Sequence, residues 1–368
     1  MNVLILFQFN SNRHVLERLK QELKDYNVHA ELFNIRTFEY SGISKFHLLI
    51  LQKLTKVPKL RVIIYKLFRK SIVSSLSKEF DLIDVHFYGK AYDHLLEKIN
   101  KPKKVVFWGS DLYRVDEKRI NQIKGNIKSF KIAHFLTPEM KEFALEKGIS
   151  NDINVVQPFG VVHFDVIEKL SKMKPTERRS SLKNTSGKIM IAVGYNGSKS
   201  QQHLKIIEEL TTLDQELKNK IHLVFLMTYG GDNDYLESVE KKLITEDFKY
   251  TLVKNRLSEL ELSKIRLDID ITINFQVTDG FSSSIQEHFY AGNIMILADW
   301  LPYNWLKEKG MTFYNIDLSK LETELQRILQ NMPSEKQKAK KNTAKIELIS
   351  KWKECSLRWY NIYCNQLT

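Results

Sequence analysis

The chain has 368 residues, 43% of them hydrophobic, which is enough for two domains with cores of their own rather than one. Lysine and arginine outnumber the acids 57 to 44, and the net charge of +13 predicts an anionic partner: a nucleotide, an anionic membrane surface or nucleic acid. Cys355 and Cys364 form neither a disulfide framework nor a zinc cluster, which fits a reducing cytoplasm, and no apolar run reaches the length of about 18 residues that spans a membrane.

Met1–Phe9 is an apolar strand pattern, with Val3–Phe7 too short for a signal sequence, and it stops at the polar turn 10–12. A helix follows with Val15, Leu16, Leu19 and Leu23 on one face, then a strand over Val28–Phe33. This strand–helix–strand order predicts a parallel sheet that binds ligands at the C-terminal ends of its strands. The first turn lacks the Gly-x-Gly-x-x-Gly fingerprint, which argues against a dinucleotide site.

Residues 40–78 carry no Asp or Glu, while Lys53, Lys56, Lys59, Arg61, Lys66, Arg69 and Lys70 alternate with aliphatic residues. The stretch predicts a basic, one-sided patch against anionic lipid; ordinary helices with lysines in water are the competing reading. No nucleic-acid-binding motif accompanies the charge, so nucleic acid is not expected as a partner.

A strand over Asp81–His86 delivers His86 to its C-terminal end, where a hydrogen-bonded core histidine competes with a catalytic one. Lys104–Trp108 runs into Gly109-Ser110-Asp111, which makes Asp111 either a helix cap or a carboxylate at the ligand-binding edge. The polar stretch 165–187 reads as a linker. A second domain restarts with the strand 188–194 and a loop containing Gly194, Asn196, Ser198 and Lys199, shaped for phosphate.

The strand Ile269–Phe275 leads to Asp279-Gly-Phe, to Ser282, Ser283 and Ser284, and to a helix carrying Ile285, Glu287, Phe289 and Tyr290, closed by Gly292. Serines at a helix start are plain caps or, with the amides beside them, a diphosphate site. Strands over Ile294–Ala298 and Met311–Ile316 complete the set, and from Ser334 onward the chain reads as one long helix with Ile346, Trp352, Trp359 and Tyr363 on its contact side.

The run Asp279-Gly-Phe, five residues, Glu287, then Ala291-Gly292, resembles the signature of the retaining nucleotide-sugar glycosyltransferases of family 4. The resemblance implies an α/β protein of GT-B type: two Rossmann-like βαβ domains facing a cleft, with the C-terminal helix crossing back to the N-domain. On this reading 1–164 is the acceptor- and membrane-side domain, 165–187 the linker, 188–333 the nucleotide-sugar domain and 334–368 the crossover helix. Glu287 would hold the nucleotide ribose, and Asp279, standing for the family's glutamate, would lie beside the donor sugar. The Trp108-Gly-Ser-Asp111 turn is similar to one that faces the acceptor, with Asp111 and His86 near it as candidate bases.

Departures accompany the match. The 194–199 loop has Lys199 but not the family's arginine, and Val162-His163 stands where the family has aspartate. Gly194-x-Asn-x-Ser198 with His203, and Leu226-Met-Thr-Tyr-Gly-Gly with Tyr235, resemble more loosely the bacterial Fuc4NAc transferases. No Asp-x-Asp motif of the metal-dependent class is read, and no metal or cofactor is expected beside the nucleoside-diphosphate sugar. The implied activity is transfer of a sugar to a saccharide acceptor, polyprenyl-diphosphate-linked, in bacterial surface polysaccharide synthesis at the inner membrane face. A non-catalytic nucleotide-sugar-binding scaffold and a sugar-nucleotide epimerase are the alternatives.

Overall fold

The computed structural model describes residues 1–37, 39, 72–97, 99–182 and 187–365. The expected basic membrane patch, Lys53 to Lys70, lies outside the described residues. The chain divides into two compact units, Met1–Gly160 with Trp352–Thr368, and Val161–Lys351.

In the first unit six parallel strands are β1 (Asn2–Phe7), β2 (His29–Asn34), β3 (Leu82–His86), β4 (Lys103–Val106), β5 (Ile132–Phe135) and β6 (Ile153–Val156). Their order is β2-β1-β3-β4-β5-β6, so the connection reverses between β1 and β3. Both faces of this sheet are covered, and the central strands are therefore continuous apolar runs rather than alternating ones: every residue of β3 and β5 is buried. The helix Arg13–Leu23 covers one face through Val15, Leu16, Leu19 and Leu23, the residues its periodicity selects. The C-terminal helix Trp352–Cys364 adds Trp352, Trp359 and Tyr363 to the same core.

The second unit repeats the plan with β7 (Ile189–Val193), β8 (Ile221–Leu226), β9 (Tyr250–Val253), β10 (Ile271–Asn274), β11 (Ile294–Ala298) and β12 (Tyr314–Ile316), all parallel, in the order β12-β11-β10-β7-β8-β9. Here the reversal falls between β7 and β10, whose register pairs Ile271 with Ile191 and Ile273 with Val193. Loops leaving two strands in opposite directions open a crevice at such a point, the usual ligand position of an open α/β sheet.

Two expectations need correction. The linker assigned to 165–187 begins instead as a helix, Phe164–Ser171, whose Phe164, Ile167 and Leu170 are buried in the second unit; Phe164 stacks on Tyr290 at 4.0 Å between ring centroids. Apolar residues at spacing three carry this helix through otherwise polar sequence.

The single helix expected from Ser334 is three: Met332–Lys340, Asn342–Ser350 and Trp352–Cys364. No Pro or Gly marks the breaks. At the first break the Asn342 side chain bonds the backbone of Thr312, accepting from its N–H at 2.8 Å and donating to its carbonyl at 2.7 Å. At the second, Lys351 is extended and the Ser350 carbonyl accepts from the Val161 amide at 2.8 Å. Tertiary partners end these helices where local propensity does not.

Candidate nucleotide site

The loops after β7 and β10 meet at the switch point of the second unit. Gly194 ends β7 with φ +64°, and a Cβ there would lie 2.8 Å from His203 Nε2 and 2.9 Å from Gln201 Oε1; only glycine turns the chain in this space. Tyr195 then reaches the other loop: its hydroxyl donates to Gln276 Oε1 at 2.8 Å, which also accepts from Gln201 Nε2 at 2.8 Å. The Tyr195 hydroxyl is also within hydrogen-bonding reach of Ser282, and burial together with the nearby Asp279 carboxylate raises its pKa. Farther along, Asn196 Oδ1 accepts from the Ser198 amide at 2.9 Å and Ser198 shares a hydrogen bond with Ser200.

Lys199 stands apart from this floor. It is exposed and pairs with Asp232 Oδ2 at 3.1 Å. An exposed pair of this kind is weak enough to exchange for a phosphate.

The loop after β10 is built by Asp279. Its Oδ1 accepts from the Gly280 amide at 2.9 Å, its Oδ2 from the Ser282 amide at 3.1 Å, and the Tyr303 hydroxyl also donates to it. Burial raises its pKa, while these donors work in the opposite direction. The turn it closes holds Phe281 at φ +69°, a left-handed conformation unfavourable to a bulky side chain. The ring is buried edge-on to Trp305 at 5.3 Å, which holds the turn. Strain of this kind collects at ligand-binding turns. Ser282 caps the helix Ser283–Ala291 by accepting from the Ile285 amide. Ser283 is exposed on the first turn, where helix geometry leaves amides for an outside acceptor.

Glu287 lies one turn deeper, 3% exposed and with both oxygens engaged. Oε1 is 2.7 Å from His163 Nδ1 and Oε2 accepts from Arg266 Nε at 3.1 Å. Burial alone would raise its pKa, but His163 and Arg266 outweigh that and hold the carboxyl below the usual range. His163 is shifted upward in return: burial opposes its charge, and Glu287 more than restores it. Arg266, on the helix Glu259–Asp268, also donates to Ser284 Oγ at 2.6 Å and contacts His288 Nε2 at 2.8 Å. Burial and Arg266 together push the His288 pKa far down, so its imidazole is neutral.

The acceptor-side residues expected in the first unit are both buried and engaged by neighbouring groups. His86 is fully buried, 3.1 Å from Asp84 Oδ2, with its ring stacked on Trp359 at 6.0 Å. Burial, opposed by Asp84, lowers its pKa. Asp111 is equally enclosed: Oδ2 accepts from the Tyr88 amide at 2.8 Å, and Oδ1 from the amides of Trp108 at 2.9 Å and Gly109 at 3.0 Å. Burial, against these amides, raises its pKa to about 6. Of the two readings open in the sequence, the geometry of both residues is the structural one: Asp111 ties the turn after β3 to the turn after β4, and His86 belongs to a buried charge cluster.

The structure thus joins Gly194 with Asp279 and Ser282 through Tyr195, and Ser284 with Glu287 through Arg266. Lys199 does not join either group. Two Asp-x-Asp triplets do occur, and both are engaged. In the first, Asp232 caps the helix Asn233–Thr245. In the second, Asp268 accepts from the Ser180 amide at 3.1 Å, and Asp270 accepts from the Met190 amide at 2.8 Å and pairs with Lys336. Among the described residues no group of three His, Cys, Asp or Glu side chains is arranged to hold a metal ion.

Sequence reasoning missed Arg266, Tyr195, Gln201, Gln276 and Tyr303, and gave His163 no role. Polar residues next to strand ends were the available signal. Nothing in the spacing of the helix Glu259–Asp268 announces that its arginine turns inward.

No protein-family model matches the chain, and no curated protein matches it. Solved structures do. A glycosyltransferase from Rickettsia africae superposes with a TM-score of 0.76 at 13% identity, over 100% of this chain and 99% of that one. HepE from Anabaena, in complex with UDP and glucose, gives 0.70 at 12% identity over 99% and 100%. Sucrose-phosphate synthase from Thermosynechococcus elongatus gives 0.69 at 13% identity over 100% and 99%. The likeness shows that the chain has the two-domain GT-B fold of these proteins.

Proposed function

We propose that the chain is a glycosyltransferase that moves a sugar from a nucleoside-diphosphate donor to a saccharide acceptor. The observation that carries this reading is the meeting of two loops at the β7–β10 switch point, where Tyr195 and Gln276 tie the Gly194 turn to the Ser282 helix start. Amides of that helix start, its dipole and the exchangeable Lys199 are groups that stabilise charge on a departing diphosphate as it develops. Glu287, ionised and fixed, would accept the ribose hydroxyls, and Asp279 would act through the turn it closes. On this reading no divalent cation takes part. HepE, one of the structural neighbours, was solved with UDP and glucose, which makes UDP the first donor nucleotide to try.

The acceptor we assign is a lipid-linked saccharide of bacterial surface polysaccharide synthesis, met at the inner membrane face. The acid-free basic run containing Lys53 to Lys70 supports this assignment through attraction to anionic lipid. Among the described residues no helix is long and apolar enough to cross a membrane.

A thermal-shift screen of the purified protein against UDP, GDP, TDP and CMP and their sugar conjugates, with and without EDTA, tests the reading. A nucleotide at about a hundredfold its Kd adds roughly 2.7 kcal/mol and raises Tm visibly. The expected result is a shift by one nucleoside diphosphate that EDTA leaves unchanged. Loss of the shift in EDTA would remove the metal-free part, and no shift with any nucleotide would remove the donor site.

A further inference from the structure

We infer that Arg266 is a positioning residue that makes the site select ribonucleotides over 2′-deoxyribonucleotides, by presenting the Glu287 carboxylate to the ribose diol. The inference rests on the proposed role of Glu287 and extends it to a residue that does not itself touch the nucleotide.

Ser284, Glu287 and His288 stand at positions i, i+3 and i+4 of one helix, and so form one face of its first turns. The Arg266 guanidinium bonds all three: Nη2 with Ser284 Oγ at 2.6 Å, Nε with Glu287 Oε2 at 3.1 Å, and Nη1 with His288 Nε2 at 2.8 Å. The group is 2% exposed. Its backbone carbonyl accepts from Asn293 Nδ2 at 3.1 Å, which fixes the arginine at its other end. His288 is held in turn by Thr272 Oγ1, 2.8 Å from Nδ1.

The planar fork therefore sets the direction of the Glu287 carboxylate as well as its charge. With His163 on Oε1 and Arg266 on Oε2, one lone-pair position remains on each oxygen. Two acceptors on one rigid carboxylate are what a pair of neighbouring hydroxyls requires. A deoxyribose leaves one acceptor of this buried, ionised group unmatched, and a site built to bond a hydroxyl discriminates strongly against the analogue lacking it.

A counter-ion role for Arg266 makes a different prediction. Lysine would then serve, because it keeps the charge; it lacks the planar fork that reaches Ser284 and Glu287 together. The test measures equilibrium binding of UDP against 2′-deoxy-UDP, and GDP against 2′-deoxy-GDP, to the full chain as wild type, Arg266→Lys, Arg266→Gln and Glu287→Gln. Circular dichroism on each protein checks the fold.

Wild type should prefer the ribonucleotide of one pair by about tenfold or more. Arg266→Lys and Arg266→Gln should lose most of that preference, weakening the ribonucleotide several-fold more than the deoxynucleotide, which has only one hydroxyl to lose at Glu287. Equal weakening of both nucleotides, or loss of folding in both arginine variants, is the signature of a purely structural residue and overturns the inference. An unchanged preference in Arg266→Lys and Arg266→Gln overturns it too, provided Glu287→Gln abolishes the preference. If Glu287→Gln leaves the preference intact, or wild type binds no ribonucleotide, the assignment of Glu287 fails and takes the inference with it.

Discussion

Replacing Lys104 by methionine is the sharpest test of what holds the first unit together. Lys104 Nζ lies 2.8 Å from Asp84 Oδ2, with both side chains fully buried, and sits over the rings of Trp359 at 4.1 Å and Tyr363 at 4.6 Å. The Tyr363 hydroxyl donates to the same oxygen at 2.7 Å. Burial lowers the lysine pKa to about 8 and works to raise that of Asp84, yet Lys104 and His86 hold the Asp84 carboxyl far below its usual range. The pair is ionised, because the carboxylate has three groups converging on it and the lysine has two aromatic faces.

Methionine keeps the length of the side chain and removes the cation, so the cost is that of stranding a buried carboxylate, about 3–5 kcal/mol. His86 can respond. Its pKa is lowered by burial, opposed by Asp84 and lowered further by Lys104. Without Lys104 that lowering is smaller, and because a histidine lowered in the fold costs stability as pH falls below its unfolded value, part of that cost is removed at low pH. The variant should therefore lose more at pH 8 than at pH 5.5, by about 1 kcal/mol for each unit of upward shift. Urea denaturation followed by tryptophan fluorescence at both pH values measures this, with the first unit carrying Trp108, Trp352 and Trp359. A loss below about 1 kcal/mol, or a loss no smaller at pH 5.5, would refute the reasoning.

Gly160→Ala should destabilise by about 1–3 kcal/mol, because its Cβ would lie 2.3 Å from the buried Trp352 ring; a melting curve within error of wild type would show that the ring can move aside. Lys199→Ala should leave stability within about 0.5 kcal/mol, since an exposed ion pair and a distant contact with the Tyr235 ring are lost, while weakening the nucleoside-diphosphate shift. If that shift is untouched, Lys199 has no part in phosphate binding. Changing Lys53, Lys56, Lys59, Lys66 and Lys70 to Gln should weaken sedimentation with anionic vesicles by about 1 kcal/mol per lysine near the surface. Wild-type protein that never sediments with such vesicles would end the membrane assignment.

The parallel sheets were legible because buried strands in covered sheets are written as apolar runs: Ile294–Ala298 is both the expected strand and β11, and the other strands given ranges above differ by a residue or a few at their ends, while β9, a half-buried strand, was not read. The switch-point loops were legible as well, since Gly194 and Ser282 do locally what their residue types favour. What escaped was decided by long-range partners. Asn342 bonding Thr312, thirty residues away in sequence, divides a helix that propensity would continue. Arg266 meets Glu287 only because two helices pack, and an arginine on a helix of mixed charge looks like a surface residue.

Long-range and local partners also decide what the acids do. Asp279 and Glu287 read as carboxylates offered to a ligand, and Asp111 as either that or a cap, yet Asp111 and Asp279 accept from backbone amides of their own turns. An acid spent in this way shapes a loop and directs its remaining amides outward. For a diphosphate donor that arrangement has an electrostatic advantage, because a bare carboxylate beside it would repel it. Asp279 is enclosed by three donors, and Glu287 is matched by one guanidinium and one histidine. On the proposed reading both acids would remain in a site for an anion, where they would set geometry while amides, helix dipole and Lys199 would supply the attraction.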